Sequence, residues 1–348
     1  MKALVTGGAG FIGCNLADRL AAEGAEVVVY DALTRPGVET NLAWLRARHG
    51  GQVTPVVADI RDAKLLSKAA RDVDVIFHLA AQVAVTTSLT DPREDFAVNI
   101  GGTLNVLEAA RRGRTPVIFA STNKVYGDLT DIPLELVGDA YGPRDGAIGR
   151  SGIDEARPLD FHTPYGCSKG AADQYVLDYA RSYGLPTCVL RMSCIYGPHQ
   201  MGTEDQGWVA HFLIRALQNQ PISIYGDGRQ VRDILYVDDA VDAYVSAYRR
   251  VGQVAGRAFN LGGGPANAVS LVQLVAQIEH VLGRRVALEF ADWRPGDQRY
   301  YVSDISSARR DLALPEPRAW RSGVAALAEW LATHAAHAPP RQAVEAVS

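Results

Sequence analysis

The chain opens with Lys2-Ala3-Leu4-Val5-Thr6-Gly7-Gly8-Ala9-Gly10-Phe11-Ile12-Gly13, a short apolar strand followed at once by a glycine-rich turn. An amphipathic stretch ending near Glu23 predicts a helix after the turn. Glycines at three-residue intervals allow a tight turn, a close approach of backbone to phosphate, and close packing of helix on strand. Amides at the start of such a helix attract anions. We therefore predict a dinucleotide pyrophosphate site at Gly7, Gly10, Phe11, Ile12 and Gly13.

The next strand, Glu26 to Tyr30, ends at Asp31, roughly 20 residues after the glycines. A carboxylate at this place can accept hydrogen bonds from the ribose hydroxyls of adenosine, which favours NAD over NADP. Arg35 keeps NADP open as an alternative, because a guanidinium can bind an additional phosphate.

Strands and helices continue to alternate. The segments 53–58, 75–78 and 116–120 are predicted strands, and a helix ending near Ala70 separates the first two. This βαβα order predicts an α/β fold with a doubly wound parallel sheet of the Rossmann type and a cofactor at the carboxyl ends of the strands. We expect His78 to be structural. The residues expected to flank the adenine or to run beneath the cofactor are Asp59, Ile60, Leu79, Ala80, Ala81 and Gln82.

The helix predicted over 92–112 carries Asn99 in its interior, an unfavourable place for Asn. Two interpretations stay open for Asn99: a buried position beside the strand ends, or the surface. The strand at 116–120 is followed by Ser121-Thr122-Asn123-Lys124, which would present hydroxyls at the functional edge of the sheet. Tyr165 and Lys169 are a candidate catalytic pair, since residues four apart share one face of a helix. A neighbouring ammonium lowers the pKa of a phenol, although this spacing also arises by chance.

The segment 128–160 is rich in Gly, Pro, Asp and Arg, and is longer than a usual connection, so we expect a lid or a partner surface. The alternation weakens after residue 195. We therefore predict an NAD-binding domain over 1–195, a smaller mixed α/β lobe over 196–336 that is interleaved with it and binds substrate, and a disordered tail over 337–348. In the smaller lobe, Arg232 and Arg294 are candidates for binding a diphosphate; a surface salt bridge is the alternative for each.

The composition argues against several classes of protein. The 348 residues are 47% hydrophobic with a formal net charge of −4, so the chain can bury a large core and offers no electrostatic reason to bind nucleic acid or a membrane. The four cysteines have no metal-ligand spacing, and we expect no metal site. Reduced thiols and the lack of a signal-peptide pattern favour a cytoplasmic protein.

The motifs together resemble the extended short-chain dehydrogenase/reductase family over residues 1 to about 335. The matching residues are Gly7-x-x-Gly10-x-x-Gly13, Asp31, Asp59, Ser121-Thr122, Tyr165-x-x-x-Lys169, Tyr196-Gly197-Pro198, Arg232-Asp233-x-x-x-Val237-x-Asp239 and Arg294-Pro295-Gly296-Asp297. The resemblance implies NAD in the N-terminal lobe, beside Ser121 and Asn99, and a nucleotide-diphosphate sugar held by Arg232 and Arg294. It also implies Tyr165 as acid/base, Lys169 as the residue that lowers its pKa and anchors the nicotinamide ribose, and Thr122 as the hydroxyl that polarises the reacting oxygen. Relatives often form dimers or tetramers, so we expect a homodimer or homotetramer.

Two departures narrow the function. Related 4,6-dehydratases have Thr-Asp-Glu at the sheet edge, whereas this chain has Thr122-Asn123-Lys124, which disfavours elimination of water. Many relatives carry an Asn after the strand ending at Arg191 that contacts the diphosphate, whereas this chain reads Met192-Ser193-Cys194 there. The substrate is therefore held differently or is a different one, and Asn123, Cys194 and Gln206 are candidate substrate contacts. The stretches 121–127 and 205–208 most resemble the CDP-paratose 2-epimerases. This implies a redox-neutral epimerase that works through a keto-sugar, with C2 of a CDP-dideoxyhexose as the expected position. A 4-epimerase, a 4-ketoreductase or dehydrogenase, and a non-catalytic dinucleotide sensor are the alternatives.

Overall fold

A computed structural model describes residues 1–294 and 297–334. Its strands are β1 (Lys2–Thr6), β2 (Glu26–Asp31), β3 (Val53–Val57), β4 (Val75–His78), β5 (Val117–Thr122), β6 (Leu134–Val137), β7 (Ala140–Pro143), β8 (Thr187–Met192), β9 (Cys194–Tyr196), β10 (Ile222–Tyr225), β11 (Val231–Tyr236), β12 (Arg257–Leu261), β13 (Ala268–Ser270), β14 (Leu288–Ala291) and β15 (Tyr300–Tyr301). Its α-helices are α1 (Phe11–Ala22), α2 (Val38–His49), α3 (Ala63–Ala69), α4 (Val85–Thr90), α5 (Pro92–Phe96), α6 (Gly102–Gly113), α7 (Gly146–Ser151), α8 (Thr163–Tyr183), α9 (Trp208–Leu217), α10 (Val237–Arg249), α11 (Val251–Val254), α12 (Leu271–Leu282), α13 (Ser306–Asp311) and α14 (Trp320–His334).

The central sheet has seven parallel strands in the order β3-β2-β1-β4-β5-β8-β12. The order reverses between β1 and β4, since β2 and β3 lie on one side of β1 and the later strands on the other. Ligands of doubly wound sheets bind outside the carboxyl ends of the strands at such a reversal. The structure confirms the predicted doubly wound α/β fold.

Apolar strands explain why the sheet is buried on both faces. The residues of β1, β4 and β5 that face one layer of helices form the larger core, and those facing the other layer form a second core with α3, α6 and α8. Continuous apolar strands are the pattern that a parallel sheet covered on both faces requires. The polar ends of these strands are therefore left to build the site.

The helix predicted over 92–112 is continuous to Gly113, but it contains one turn of π-helix. The π turn spans Ala97–Gly101 between α5 and α6, and Asn99 lies within it. Asn99 is buried, which decides between its two interpretations. Such π turns are rare and occur frequently at functional sites.

The C-terminal part of the chain is divided between two structures. β12 pairs with β8 as the seventh strand of the central sheet. The chain after residue 195 therefore contributes to the central sheet as well as to the smaller lobe. The smaller lobe is built from β11, which pairs with β9, β13 and β15, and from the separate pair of β10 and β14. Its independence as a domain stays a prediction.

The segment 128–160 is folded. It contains the antiparallel hairpin of β6 and β7, followed by α7. Tyr141 bonds to Asp227 in the smaller lobe at 2.6 Å, and Ile153 pairs with the backbone of Val302 at 2.7 Å. These contacts tie the segment to the smaller lobe, and the expectation of a lid or a partner surface stays a prediction. Composition could not show this, because the partners lie 86 or more residues away.

Two predictions fall outside the described residues: the turn at Pro295-Gly296, and the disordered tail over 337–348. Among the helices that are described, none combines the length and the apolar character needed to cross a membrane.

Candidate functional site

A cavity of about 900 Å³ opens at the carboxyl ends of the central strands and extends to the smaller lobe. Most of the predicted site residues line it: Gly7, Gly10, Phe11, Ile12, Gly13, Asp31, Asp59, Ile60, Leu79, Ala80, Ala81, Ser121, Thr122, Asn123, Tyr165, Cys194, Gln206, Arg232 and Arg294. Gln82, Asn99 and Lys169 lie behind this wall. The fold therefore brings residues from the whole length of the chain to one place.

The glycine turn has the geometry of a phosphate cradle. Gly7 has a φ of +69°, and a Cβ at this position would lie 2.7 Å from the amide nitrogen of Ala80. A Cβ on Gly13 would lie 2.1 Å from the carbonyl oxygen of Gly7. Helix α1 begins after Gly10 without a side-chain cap, so its first amides face the cavity with their donors available to an anion. The residues present fit a dinucleotide pyrophosphate.

Asp31 is held at the end of β2 by two backbone donors. Its carboxylate accepts from Ala9 N at 3.0 Å and from Leu33 N at 2.9 Å. This orientation keeps an acceptor at the cavity wall, as ribose recognition requires. Arg35 also lines the cavity.

The carboxylate of Asp59 is paired with the guanidinium of Arg61, two residues later in the chain. Arg61 donates to it at 2.6 and 2.9 Å, and this pairing lowers the pKa of Asp59. The pair leaves the apolar side chain of Ile60 beside it on the wall. The roles of both at the adenine stay predictions.

Tyr165 and Thr122 form a hydrogen-bonded pair on the cavity wall. Tyr165 lies in α8 with 9% of its surface exposed, and Thr122 ends β5. Burial raises the pKa of Tyr165 to about 12, while its hydrogen bond with Thr122 acts in the opposite direction. Burial is the largest effect on the phenol, and the lowering of its pKa by Lys169 stays a prediction.

The start of α8 holds Tyr165 in place. Thr163, two residues earlier, has a φ of +63°, a conformation that is unusual for a β-branched residue. Ser88 accepts from the backbone amide of Tyr165 at 3.1 Å. Strained residues of this kind concentrate at functional sites.

Lys169 lies one turn after Tyr165 and is buried. Its ammonium donates to the carbonyl oxygen of Ala120 at 2.7 Å and lies 4.2 Å from the centre of the Phe119 ring. Burial lowers the pKa of Lys169 to about 7, while the charges of Asp173 and Asp95 raise it. The lysine is thus positioned under the strand end, with a titration range near neutrality.

Asn99 connects three elements behind the cavity. Its amide exchanges hydrogen bonds with the backbone of Gln82 at 2.9 and 3.1 Å. It also donates to Ser168 at 3.0 Å and to Asp95 at 3.1 Å. Asn99 and Gln82 therefore support the site from behind its wall, and their role in binding a cofactor stays a prediction.

Ser121 faces an ion pair. It donates to Asp173 at 2.7 Å, and Arg191 binds the same carboxylate with two hydrogen bonds of 3.0 Å. This buried pair links β5, β8 and α8 below the site. His78 is likewise structural, as expected: it bonds to Thr6 and Thr103, and burial lowers its pKa to about 3.

Asn123 and Lys124 form the cavity wall that faces the smaller lobe. Asn123 donates to Gln298 at 3.2 Å. Burial, followed by the charge of Arg232, lowers the pKa of Lys124 to about 8. Cys194 accepts from the indole of Trp208 at 3.3 Å, and burial raises the pKa of its thiol, so it is a packing residue rather than a nucleophile.

The two arginines reach the cavity from the smaller lobe, and each already has an acidic partner. Arg232 in β11 is 7% exposed and donates to Asp297 at 3.2 Å. Arg294 lies 3.7 Å from Glu204 and 3.5 Å from Asp205, and stacks on Tyr225 at 3.7 Å. The structure thus places both at the site and also shows the salt bridges that were the alternative.

Several wall residues were not predicted. They include Thr86, Leu89, Met192, His211, Tyr225, Gln230 and Leu271. They come from several separate elements, and only the assembled fold brings these elements together at the cavity. Within 1–294 and 297–334, no group of three or more His, Cys, Asp or Glu is arranged to hold a metal.

Comparisons with known proteins agree with this geometry. The model of the NAD dependent epimerase/dehydratase family matches residues 3–262. The chain is 41% identical to a CDP-paratose 2-epimerase of Salmonella typhi, over 95% of this chain and 99% of that protein. The UDP-glucose 4-epimerase of Thermus thermophilus, solved in complex with NAD, is 30% identical with a TM-score of 0.81, covering 95% of this chain and 99% of that one. The UDP-glucuronic acid 4-epimerase of Bacillus cereus, solved with UDP-glucuronic acid and NAD, is 28% identical with a TM-score of 0.82, covering 96% and 99%. The chain belongs to the NAD-dependent epimerase/dehydratase family.

Proposed function

We propose that this chain is an NAD-dependent epimerase of a nucleotide-activated sugar, and that it inverts C2 of a CDP-linked dideoxyhexose. One observation carries the proposal. The hydrogen-bonded pair of Tyr165 and Thr122 faces the same cavity as the glycine turn, and an amide and an amine follow at positions 123 and 124 instead of two carboxylates.

NAD, when bound, supplies the acceptor and later the donor of the sugar hydride. Gly7, Gly10 and Gly13 leave room for its pyrophosphate, and Asp31 presents an acceptor for its ribose. The remaining steps belong to this chain's own side chains. Tyr165 removes the proton of the sugar hydroxyl, Thr122 polarises the same oxygen, and Tyr165 returns the proton after the keto-sugar has presented its other face.

The tyrosine needs help to act as a base, because burial holds its proton. Lys169 lies one helical turn away, and its ammonium favours the phenolate electrostatically. We assign it this role together with anchoring of the nicotinamide ribose.

The choice of a CDP-sugar and of C2 is supported by the 41% identity to the CDP-paratose 2-epimerase. We assign Arg232 and Arg294 to the diphosphate, and Asn123, Cys194 and Gln206 to the nucleotide or sugar. Inversion at C4 is the alternative, favoured by the likeness to the two 4-epimerases of known structure.

Denaturation of the purified protein, with identification of any released nicotinamide, tests the cofactor. CDP-, UDP-, GDP-, ADP- and dTDP-sugars are then incubated with the enzyme in D₂O and analysed by NMR. We expect C2 inversion of a CDP-sugar without deuterium at the inverted carbon, because the hydride never exchanges with solvent. Inversion at C4 of a UDP-sugar would replace the proposal with the alternative. Stoichiometric formation of reduced nicotinamide would indicate a net oxidoreductase, and bound NAD with no turnover would indicate a sensor.

We also propose a homodimer in the cytoplasm. Phe96 and Tyr175 are exposed on α5 and α8, two helices that pack on each other, and exposed apolar side chains of this size favour an interface. The four cysteines are unpaired, as in reduced cytosolic proteins. Light scattering measures the oligomeric state, and Phe96→Ser is expected to shift it towards monomer.

A further inference from the structure

Asp95 is a buried carboxylate that the mechanism above does not use. It lies in α5 with 1% of its surface exposed. Its Oδ1 accepts from Asn99 at 3.1 Å, while Oδ2 is buried and accepts no hydrogen bond from the described residues. Burial of a carboxylate with an unsatisfied oxygen is costly, so its presence calls for a physical explanation.

The explanation lies in what surrounds it. The π turn carries Asn99 one turn beyond Asp95, where its amide reaches Ser168, the residue before Lys169. Ser168 itself donates to the carbonyl oxygen of Tyr165 at 3.2 Å and also contacts the carboxylate of Asp95. Asp95 is thereby held directly behind the segment that contains both Tyr165 and Lys169.

Two other ionisable groups lie around Lys169, and the charge of one of them, Asp173, also raises the pKa of Lys169. Asp173 lies one turn further along α8, and its carboxylate accepts hydrogen bonds from Nε and Nη2 of Arg191. His78 is neutral and fully buried. Asp95 forms no ion pair within the described part of the chain. Burial raises the pKa of its carboxyl, while a hydrogen bond with Ser168 and the charge of Lys169 lower it. Unlike Asp173, Asp95 has no arginine that neutralises it, and its charge acts on both Lys169 and Tyr165.

We propose that Asp95 is a positioning residue whose negative charge, fixed by Asn99 and Ser168, sets the pH range in which Tyr165 and Lys169 work together. The charge keeps the ammonium of Lys169 protonated and opposes ionisation of the Tyr165 phenol. This inference rests on the roles proposed above for these two residues, but it adds a third group that touches neither sugar nor cofactor.

The direction of the effect follows from electrostatics. A nearby carboxylate raises the pKa of Lys169 and also raises the pKa of Tyr165. Neutralising it lowers both, because an ammonium loses its stabilising partner and a phenolate loses a repelling one. Both limbs of the pH profile therefore move to lower pH, whereas simple loss of packing would reduce activity equally at every pH.

Asp95→Asn is the test, because it removes the charge and preserves the shape and the hydrogen bonds. Asp91→Asn is the matched control: it removes an equal charge from the exposed start of the same helix, where Asn caps as well as Asp. We expect both limbs of kcat/KM to move down by roughly one pH unit in Asp95→Asn, and to remain in place in Asp91→Asn.

A second measurement is independent of the sugar. Affinity for NAD, measured by calorimetry across pH, is expected to weaken at a pH roughly one unit lower in Asp95→Asn, because Lys169 loses its proton earlier. If no sugar nucleotide is turned over while this shift is present, the epimerase proposal fails and the inference stands. Superimposable profiles in both measurements would overturn the inference. Should Asp95→Asn not fold, Asp95→Ser leaves room for a water and is expected to give the same displacement.

Discussion

The two halves of the cavity are built on different principles. On the cofactor side, the wall is backbone: the turn of Gly7 to Gly13 approaches Ala80 so closely that a Cβ has no space, and Asp31 is held by two amides. On the substrate side, the polar groups are long side chains of Arg232 and Arg294 that are already paired with acids.

This difference predicts different behaviour. A backbone cradle is preorganised and costs little reorganisation on binding, which suits a cofactor that is retained through many turnovers. A phosphate must compete with these acidic partners for the charge of the arginines, so we expect the substrate side to bind more weakly and to release more readily.

The largest effect is expected where both halves meet. Tyr165→Phe removes the acid/base but retains the ring, so kcat is expected to fall by roughly 10²- to 10⁴-fold, while bound NAD is retained. Turnover and the released nicotinamide are measured on the same preparation. Tyr175→Phe, on the exposed face of the same helix, is the control and is expected to have parent activity. Full activity of Tyr165→Phe would remove Tyr165 from the mechanism.

The next test breaks the backbone cradle. Gly13→Ala places a Cβ 2.1 Å from the carbonyl oxygen of Gly7, and overpacking of this kind costs about 1–3 kcal/mol. We expect a lower melting temperature and purification without NAD. Gly51→Ala, where no atom lies within 4 Å of the added Cβ, is the control. Retention of NAD by Gly13→Ala would show that the turn can adjust to an added Cβ, and that the cofactor side is not a rigid backbone cradle.

The same contrast explains what the sequence could predict. The cofactor side follows from local patterns, because glycine spacing, a strand end and a helix start are all written within residues 2–31. The spacing of Tyr165 and Lys169 can also be read from the sequence. The burial that raises the pKa of Tyr165 cannot, since burial is a property of the assembled fold.

The substrate side could not be derived in this way. β9 pairs with β11 forty residues later, and β10 with β14 more than sixty residues later. Because these pairings are non-local, the partners of Arg294 and the place of β12 in the central sheet had no local signal. The hairpin within 128–160 differs, because its two strands pair locally, and only its attachment to the smaller lobe is non-local.

The two arginines are expected to differ from each other. Arg232 is buried and its pairing with Asp297 aligns it with the cavity, whereas Arg294 is more exposed. We expect Arg232→Gln to raise KM about tenfold, and Arg294→Gln about threefold, because solvent screens the exposed charge. Steady-state kinetics at two salt concentrations measure both, and NAD content should not change. An equal effect of the two changes would show that burial does not order their contributions.

The smallest effect is expected at the acidic partners of Arg294. If the diphosphate must take Arg294 from its acidic partners, weakening those partners favours binding. Glu204→Gln keeps a side-chain oxygen that can face Arg294 and accept from the Tyr225 hydroxyl, but it removes the negative charge of an exposed pair. Exposed pairs contribute about 0.2–1 kcal/mol, so KM is expected to fall by about 1.4- to fivefold while kcat is unchanged. A rise in KM would instead mean that Glu204 contacts the substrate, and the substrate side would then be preorganised like the cofactor side.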